Sequence, residues 1–157
     1  MDDPEIRVET VRPVLPARNH VVVLVSSLSV PTVRALDYAR SIRPHSLQAV
    51  SVAVDPDAAR ELADTWARNR IDVPLVSVAS PYRELTPPLL QYVRRLRGER
   101  EQDVVTVVIP EFVVTRWWEQ LLHGQSALLL KLALLREPGV VVTNVPWHVG
   151  RRARHRS

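Results

Sequence analysis

Glu111, Arg116, His123 and the tripeptide Gly124-Gln125-Ser126 bring acid, base and anion-binding chemistry into one short stretch of chain. Glu111 follows Pro110 and fits a helix cap or a partner for Arg116. As a general base it has no obvious acid partner. Arg116 is either solvated or, beside a helix N-terminus, an anion ligand. His123 suits a hydrogen-bonded helix histidine or a phosphate contact, and no second residue stands at metal-ligand spacing. Gly124-Gln125-Ser126 marks either close packing against a sheet or the first turn of a helix. In the second case the N–H groups of Gln125 and Ser126 would face an anion. Trp117 and Trp118 are adjacent, so one can pack inward while the other serves an interface or stacks on a base. Asp55, before Pro56, fits a cap that accepts a backbone N–H, or a ligand for a ribose hydroxyl at a strand end. The Gly-x-Ser-x-Gly elbow, the P-loop, the dinucleotide glycine fingerprint and His-Glu-x-x-His do not occur. With no cysteine, a disulfide framework, a thiolate zinc site and a cysteine nucleophile are excluded. These residues point to binding rather than catalysis, with no metal and no resident cofactor.

The elements that must position them alternate regularly. A β-branched run over 20–25 reads as a strand buried on both faces. Ser26 to Ser29 turn the chain, and Pro31 opens a helix whose inward face is Val33, Leu36, Ala39 and Ile42, stopped by Pro44. A second strand spans 47–54, ending at Val54. The Asp55-capped helix follows, with Ala59, Leu62, Ala63 and Trp66 as its buried stripe. A third strand spans 73–78, and Thr86-Pro87-Pro88 starts a helix buried through Leu89, Leu90, Val93 and Leu96. Then come a strand over 104–110, a polar turn over 111–116, a long apolar helix over 117–135 and a last strand over 140–145. The order predicts an α/β fold, a doubly wound five-stranded parallel sheet in the order 3-2-1-4-5. Its switch point lies between strands 1 and 4. The turns 26–29 and 110–116 should therefore line the binding crevice.

Hydrophobic residues make up 46% of the 157, enough for one core. The longest apolar run, 127–135, contains Lys131 and is far shorter than the roughly 18–20 residues of a membrane span. Residues 1–19, with Pro4, Pro13 and Pro16, read as a flexible linker or arm, the domain as 20–149, and 150–157 as a basic disordered tail. The net charge of +4 matches the tail's Arg151, Arg152, Arg154 and Arg156. That locates the basicity in a tail and not in a basic groove, and the tail is either a solvated end or a contact for an anionic membrane surface or nucleic acid.

Ser80-Pro81-Tyr82-Arg83, Val107-Val-Ile-Pro-Glu-Phe112, Arg116-Trp-Trp118, Leu121-Leu-His123, Lys131-Leu-Ala-Leu134 and Pro138-Gly-Val-Val-Val-Thr143 carry a family resemblance. Over about 20–148 the chain resembles the universal stress protein superfamily. More closely, it resembles the C-terminal domain of actinobacterial APC-superfamily permeases, among them relatives of potassium importers. The superfamily's nucleotide-binding glycine pattern falls on Glu111, Val114, Gly124 and Gln125, of which Gly124 matches, and Ser126 stands one place late. Its strand-1 aspartate is Ser26 here. The resemblance implies a regulatory domain on the cytoplasmic face of the cell membrane, joined to a transmembrane domain. It also implies an adenine nucleotide ligand. Cyclic di-AMP, with two phosphodiester charges, suits this chain better than ATP, because a carboxylate at position 111 repels a triphosphate. On this reading Val25 and Val54 lie against adenine, Ser26 and Ser27 line the crevice, and Asp55 takes a ribose hydroxyl. Phosphates meet the backbone at Pro110, Glu111 and Phe112 and the helix start at Gly124, Gln125 and Ser126, with Arg83, Arg116 or His123 adding charge. The last strand, Val140, Val141, Val142, Thr143 and Asn144, would pair with its copy in a homodimer, with Pro146 and Trp147 nearby. The alternatives are a ligand-free dimerisation module and a free-standing ATP-binding stress protein.

Overall fold

The computed structural model describes residues 18–53, 55–80, 82, 84–110 and 127–146. Five strands form one sheet: β1 (Asn19–Leu24), β2 (Ser46–Ala53), β3 (Leu75–Ala79), β4 (Val104–Pro110) and β5 (Val140–Val145). All pairings are parallel, in the order β3-β2-β1-β4-β5. This is the predicted sheet, with β1 and β4 as central neighbours. Parallel strands need crossovers, and helices α1 (Val30–Ser41), α2 (Pro56–Arg68) and α3 (Thr86–Arg97) supply them. The fourth helix, expected over 117–135, is described as α4 (Ala127–Arg136).

The continuous valine runs exist because both faces of the sheet are covered. Val21, Val23 and Val25 point to a layer made by Ala35, Leu36 and Ala39 of α1 with Leu62 and Trp66 of α2. Val22 and Leu24 point the other way, onto Leu89 and Val93 of α3 and Leu130 and Leu134 of α4. Trp66 is fixed on its side by donating Nε1–H to the Val73 carbonyl at 2.8 Å. Tyr92 ties α3 to β2 by donating to Gln48 Oε1, and burial is the main cause that raises its phenol pKa.

Several boundaries and faces differ from the sequence expectation. Val73 lies before β3, buried as the acceptor for Trp66. Val33 is 41% exposed, because α1 turns Thr32 inward instead. The Thr32 hydroxyl is satisfied by the Ser27 carbonyl at 2.7 Å, so a polar residue can take the buried position. Ala63 of α2 is exposed, and Ala59 is only half-buried. Helix α1 ends before Pro44, through a C-cap at Ile42 and a left-handed Arg43 with φ 49°. Among the described residues no helix is long and apolar enough to cross a membrane.

Candidate functional site

In an open parallel sheet the crevice forms beyond the carboxyl ends of the strands where the winding reverses. Here Val23 stands beside Val108, so β1 and β4 run out together at Val25 and Pro110. Both are buried. They therefore form the floor of the switch point and offer it backbone rather than side-chain chemistry.

The turn after β1 is held at both ends. The Val25 amide donates to the Val50 carbonyl at 2.9 Å. Thr32 binds the Ser27 carbonyl and contacts Ser29 Oγ at 3.1 Å. Between these anchors Ser26, Ser27 and Leu28 meet Ala58, Glu61, Leu62 and Thr65 of α2 around a cleft of about 330 Å³. Ser26 Oγ is buried there with no hydrogen-bond partner among the described residues. A buried hydroxyl left unpaired is costly, and this one belongs to a residue that lines the cleft. Leu28 and Leu62 supply an apolar wall. Thr65 is engaged, donating to the Glu61 carbonyl at 2.8 Å. The Glu61 carboxylate makes no ion pair among the described residues. It would accept from a sugar hydroxyl and repel a phosphate.

Asp55 is exposed and caps α2, its Oδ1 accepting from the Asp57 amide at 3.0 Å. That is the first of the two roles open to it from the sequence. Ser26 and Ser27 line the cleft, Val25 and Pro110 are buried at the ends of β1 and β4, and Asp55 stands at the start of the helix that forms the cleft's wall. Val54, Arg83, Glu111, Phe112, Arg116, His123, Gly124, Gln125, Ser126 and Trp147 lie outside the described residues. Glu61 and Thr65 are cleft residues that sequence reasoning missed. They sit four residues apart on α2, on one side of the helix, and only the packing of α2 shows that this side meets the end of β1.

The carboxyl-end cleft has a polar counterpart at the opposite, amino end of the sheet. His20 Nδ1 lies 2.7 Å from Ser46 Oγ, and its Nε2 lies 3.3 Å from Asp103 Oδ2. His45 packs edge-on against His20, with ring centroids 5.5 Å apart. The sequence carried no signal for this Ser-His-Asp chain, because its members are brought together only by strand register. His20 is buried and both its ring nitrogens are engaged. The chain therefore pins the starts of β1, β2 and β4 together.

Edge strand β5 is half-buried along most of its length, with Val141 48% exposed. Beside it in sequence, α4 leaves Leu129, Leu132 and Leu135 exposed. Glu137, after α4, accepts two bonds from the Arg94 guanidinium at 2.7 and 3.0 Å. This hydrogen bonding, aided by the charges of Arg94 and Arg97, holds the Glu137 pKa below its ordinary value.

Two comparisons bear on this architecture. A family model described as the KimA potassium transporter C-terminal domain matches residues 18–147. The chain is also 28% identical over 130 residues to the potassium transporter KimA of Bacillus subtilis (strain 168), an alignment covering 82% of this chain and 21% of that protein. The chain thus spans about a fifth of that relative's length.

Proposed function

Since the chain belongs to the KimA potassium transporter C-terminal domain family, we propose that it is the cytosolic regulatory domain of an APC-type potassium transporter. On this reading it has a universal stress protein-like fold and binds an adenine nucleotide, cyclic di-AMP above ATP. The observation that favours the ligand is a cleft between the turn after β1 and helix α2, lined by Ser26, whose buried hydroxyl has no partner among the described residues. The cleft chemistry suits the uncharged part of a nucleotide. Leu28 and Leu62 contact a base or sugar face, Ser26 and Ser27 offer hydroxyls, and Glu61 accepts from a ribose. The same carboxylate disfavours phosphate in the cleft, so the phosphodiesters lie toward β4 and the chain following Pro110. There Glu111 counts against a triphosphate more than against a diester.

Ligand binding regulates transport only if two arrangements of the domain bind it with different affinity. The homodimer supplies such arrangements. An apolar edge strand at the limit of the sheet is suited to pairing with its copy about a two-fold axis. The exposure of Val141, with the leucines of α4, also favours the second reading, a dimerisation module without ligand. Calorimetric titration separates the readings. Heat of binding with cyclic di-AMP and none with ATP supports the first. Silence toward all adenine nucleotides with dimerisation intact supports the second. ATP binding with turnover refutes both.

A further inference from the structure

All five strands are parallel, so their first residues, the preceding helix ends and the loops between them lie at one end of the domain. That end is crowded with arginine. Arg40 is held by Asp37 and Asp72, Arg94 by Glu137, and Arg97 lies along the carbonyls of Glu101 and Asp103. Arg43, Arg68, Arg70, Arg95 and Arg100 are exposed and have no carboxylate partner among the described residues, and they outnumber the exposed, unpaired Glu99 and Glu101 at the same end. The opposite end carries Asp55, Asp57, Glu61 and Glu84 against Arg34 and Arg60. The described domain is therefore polarised from end to end.

The helix dipole accounts for Arg68 and Arg95, which sit in last turns. It does not account for Arg43, Arg70 and Arg100, which lie beyond the helices. Arg43 and Arg70 carry φ of 49° and 50°, a left-handed backbone that glycine adopts with less strain. Two arginines thus stand on this surface at a conformational cost.

Residues 1–17 join the sheet at Arg18 and Asn19, at this same end. In a C-terminal domain of a transporter the membrane-embedded part precedes the domain, so this end is the one joined in sequence to the bilayer. We propose that the arginine-rich amino end of the sheet is a docking surface for anionic phospholipid headgroups. This rests on the transporter part of the proposed function and not on the nucleotide, which belongs to the other end. Each arginine near an anionic leaflet contributes about fivefold in partitioning, and the attraction weakens with salt.

The test is co-sedimentation of the full chain with vesicles of phosphatidylcholine, pure or mixed with phosphatidylglycerol, at low ionic strength and without nucleotide. The combined variant Arg43→Gly, Arg70→Gly, Arg95→Gln, Arg100→Gln removes charge while relieving the left-handed strain. Its thermal melt checks that it stays folded. A second variant, Arg151→Gln, Arg152→Gln, Arg154→Gln, Arg156→Gln, removes the charge of the tail. Salt-sensitive binding to the anionic vesicles, reduced roughly 600-fold in the first variant and largely kept in the second, is expected. No binding to anionic vesicles, equal binding to pure phosphatidylcholine, loss confined to the tail variant, or stronger binding to duplex DNA than to vesicles would each overturn the proposal. A chain that binds vesicles but no nucleotide refutes the ligand reading alone, and the converse refutes this one alone.

Discussion

Replacing Ser26 by alanine should stabilise the free domain and, on the proposed function, weaken nucleotide binding. The wild-type Oγ is buried without a partner among the described residues. An unpaired buried hydroxyl costs about 1–3 kcal/mol by mutational measure. Deleting one oxygen also removes a few dispersion contacts, which offsets a fraction of a kcal/mol. The net gain is therefore about 0.5–2 kcal/mol, a rise of about 1–8 °C in Tm for a chain of this size. If a ligand atom bonds to that hydroxyl, its loss should cost about 0.5–1.5 kcal/mol of binding, a two- to twelvefold rise in Kd by about 1.4 kcal/mol per decade. Differential scanning calorimetry and isothermal titration on the same preparations read the two effects. Opposite signs are the signature of a group kept for binding at the expense of stability. A destabilised variant with unchanged Kd would refute the reasoning, because it would mean that the hydroxyl serves the fold.

Further outcomes follow from the same geometry. The hydrogen bond from Arg94 depresses the Glu137 pKa. Its contribution is complete above the ordinary glutamate value of roughly 4.3 and is lost as pH falls through the lower folded value. Arg94→Met should therefore flatten the fall of Tm with acid below about pH 4.3, read by circular dichroism melts. Arg70→Gly, at φ 50°, should raise stability by about 0.5–1 kcal/mol, read as a higher urea midpoint with unchanged slope. On the proposed edge pairing, Val141→Lys, on the exposed side of the edge strand, should make the protein monomeric in sedimentation equilibrium and leave the monomer's melt within about 0.5 kcal/mol.

The fold was legible because its strands are buried on both faces. Val21 to Val25 and 104–109 are written almost entirely in β-branched residues, and Asp55-Pro56 states the start of α2 outright. Helix faces were less legible. A period of 3.6 admits two neighbouring stripes on α1, and the sequence alone favoured Val33. The structure selects the stripe containing Thr32, whose hydroxyl finds the Ser27 carbonyl. Ser26 and Ser27 were singled out in the sequence because topology fixes where the turn after β1 lies, and both line the cleft. Glu61 and Thr65 were not, since their relevance depends on how α2 leans over the end of β1. The union of His20 with Asp103, 83 residues away, follows from register and from nothing local. The same holds for the arginine-rich end, whose members are scattered through the chain until parallel pairing collects them.

The central claim is that the carboxyl ends of β1 and β4 form the nucleotide site, and amide chemical-shift mapping during titration with cyclic di-AMP tests it most directly. The account predicts saturable shifts at Ser26, Ser27, Leu28, Glu61 and Ile109, with His20, Ser46 and Arg70 at the other end unmoved. Saturable shifts clustered at the amino ends of the strands, or none at the Ser26–Glu61 cleft, would contradict it.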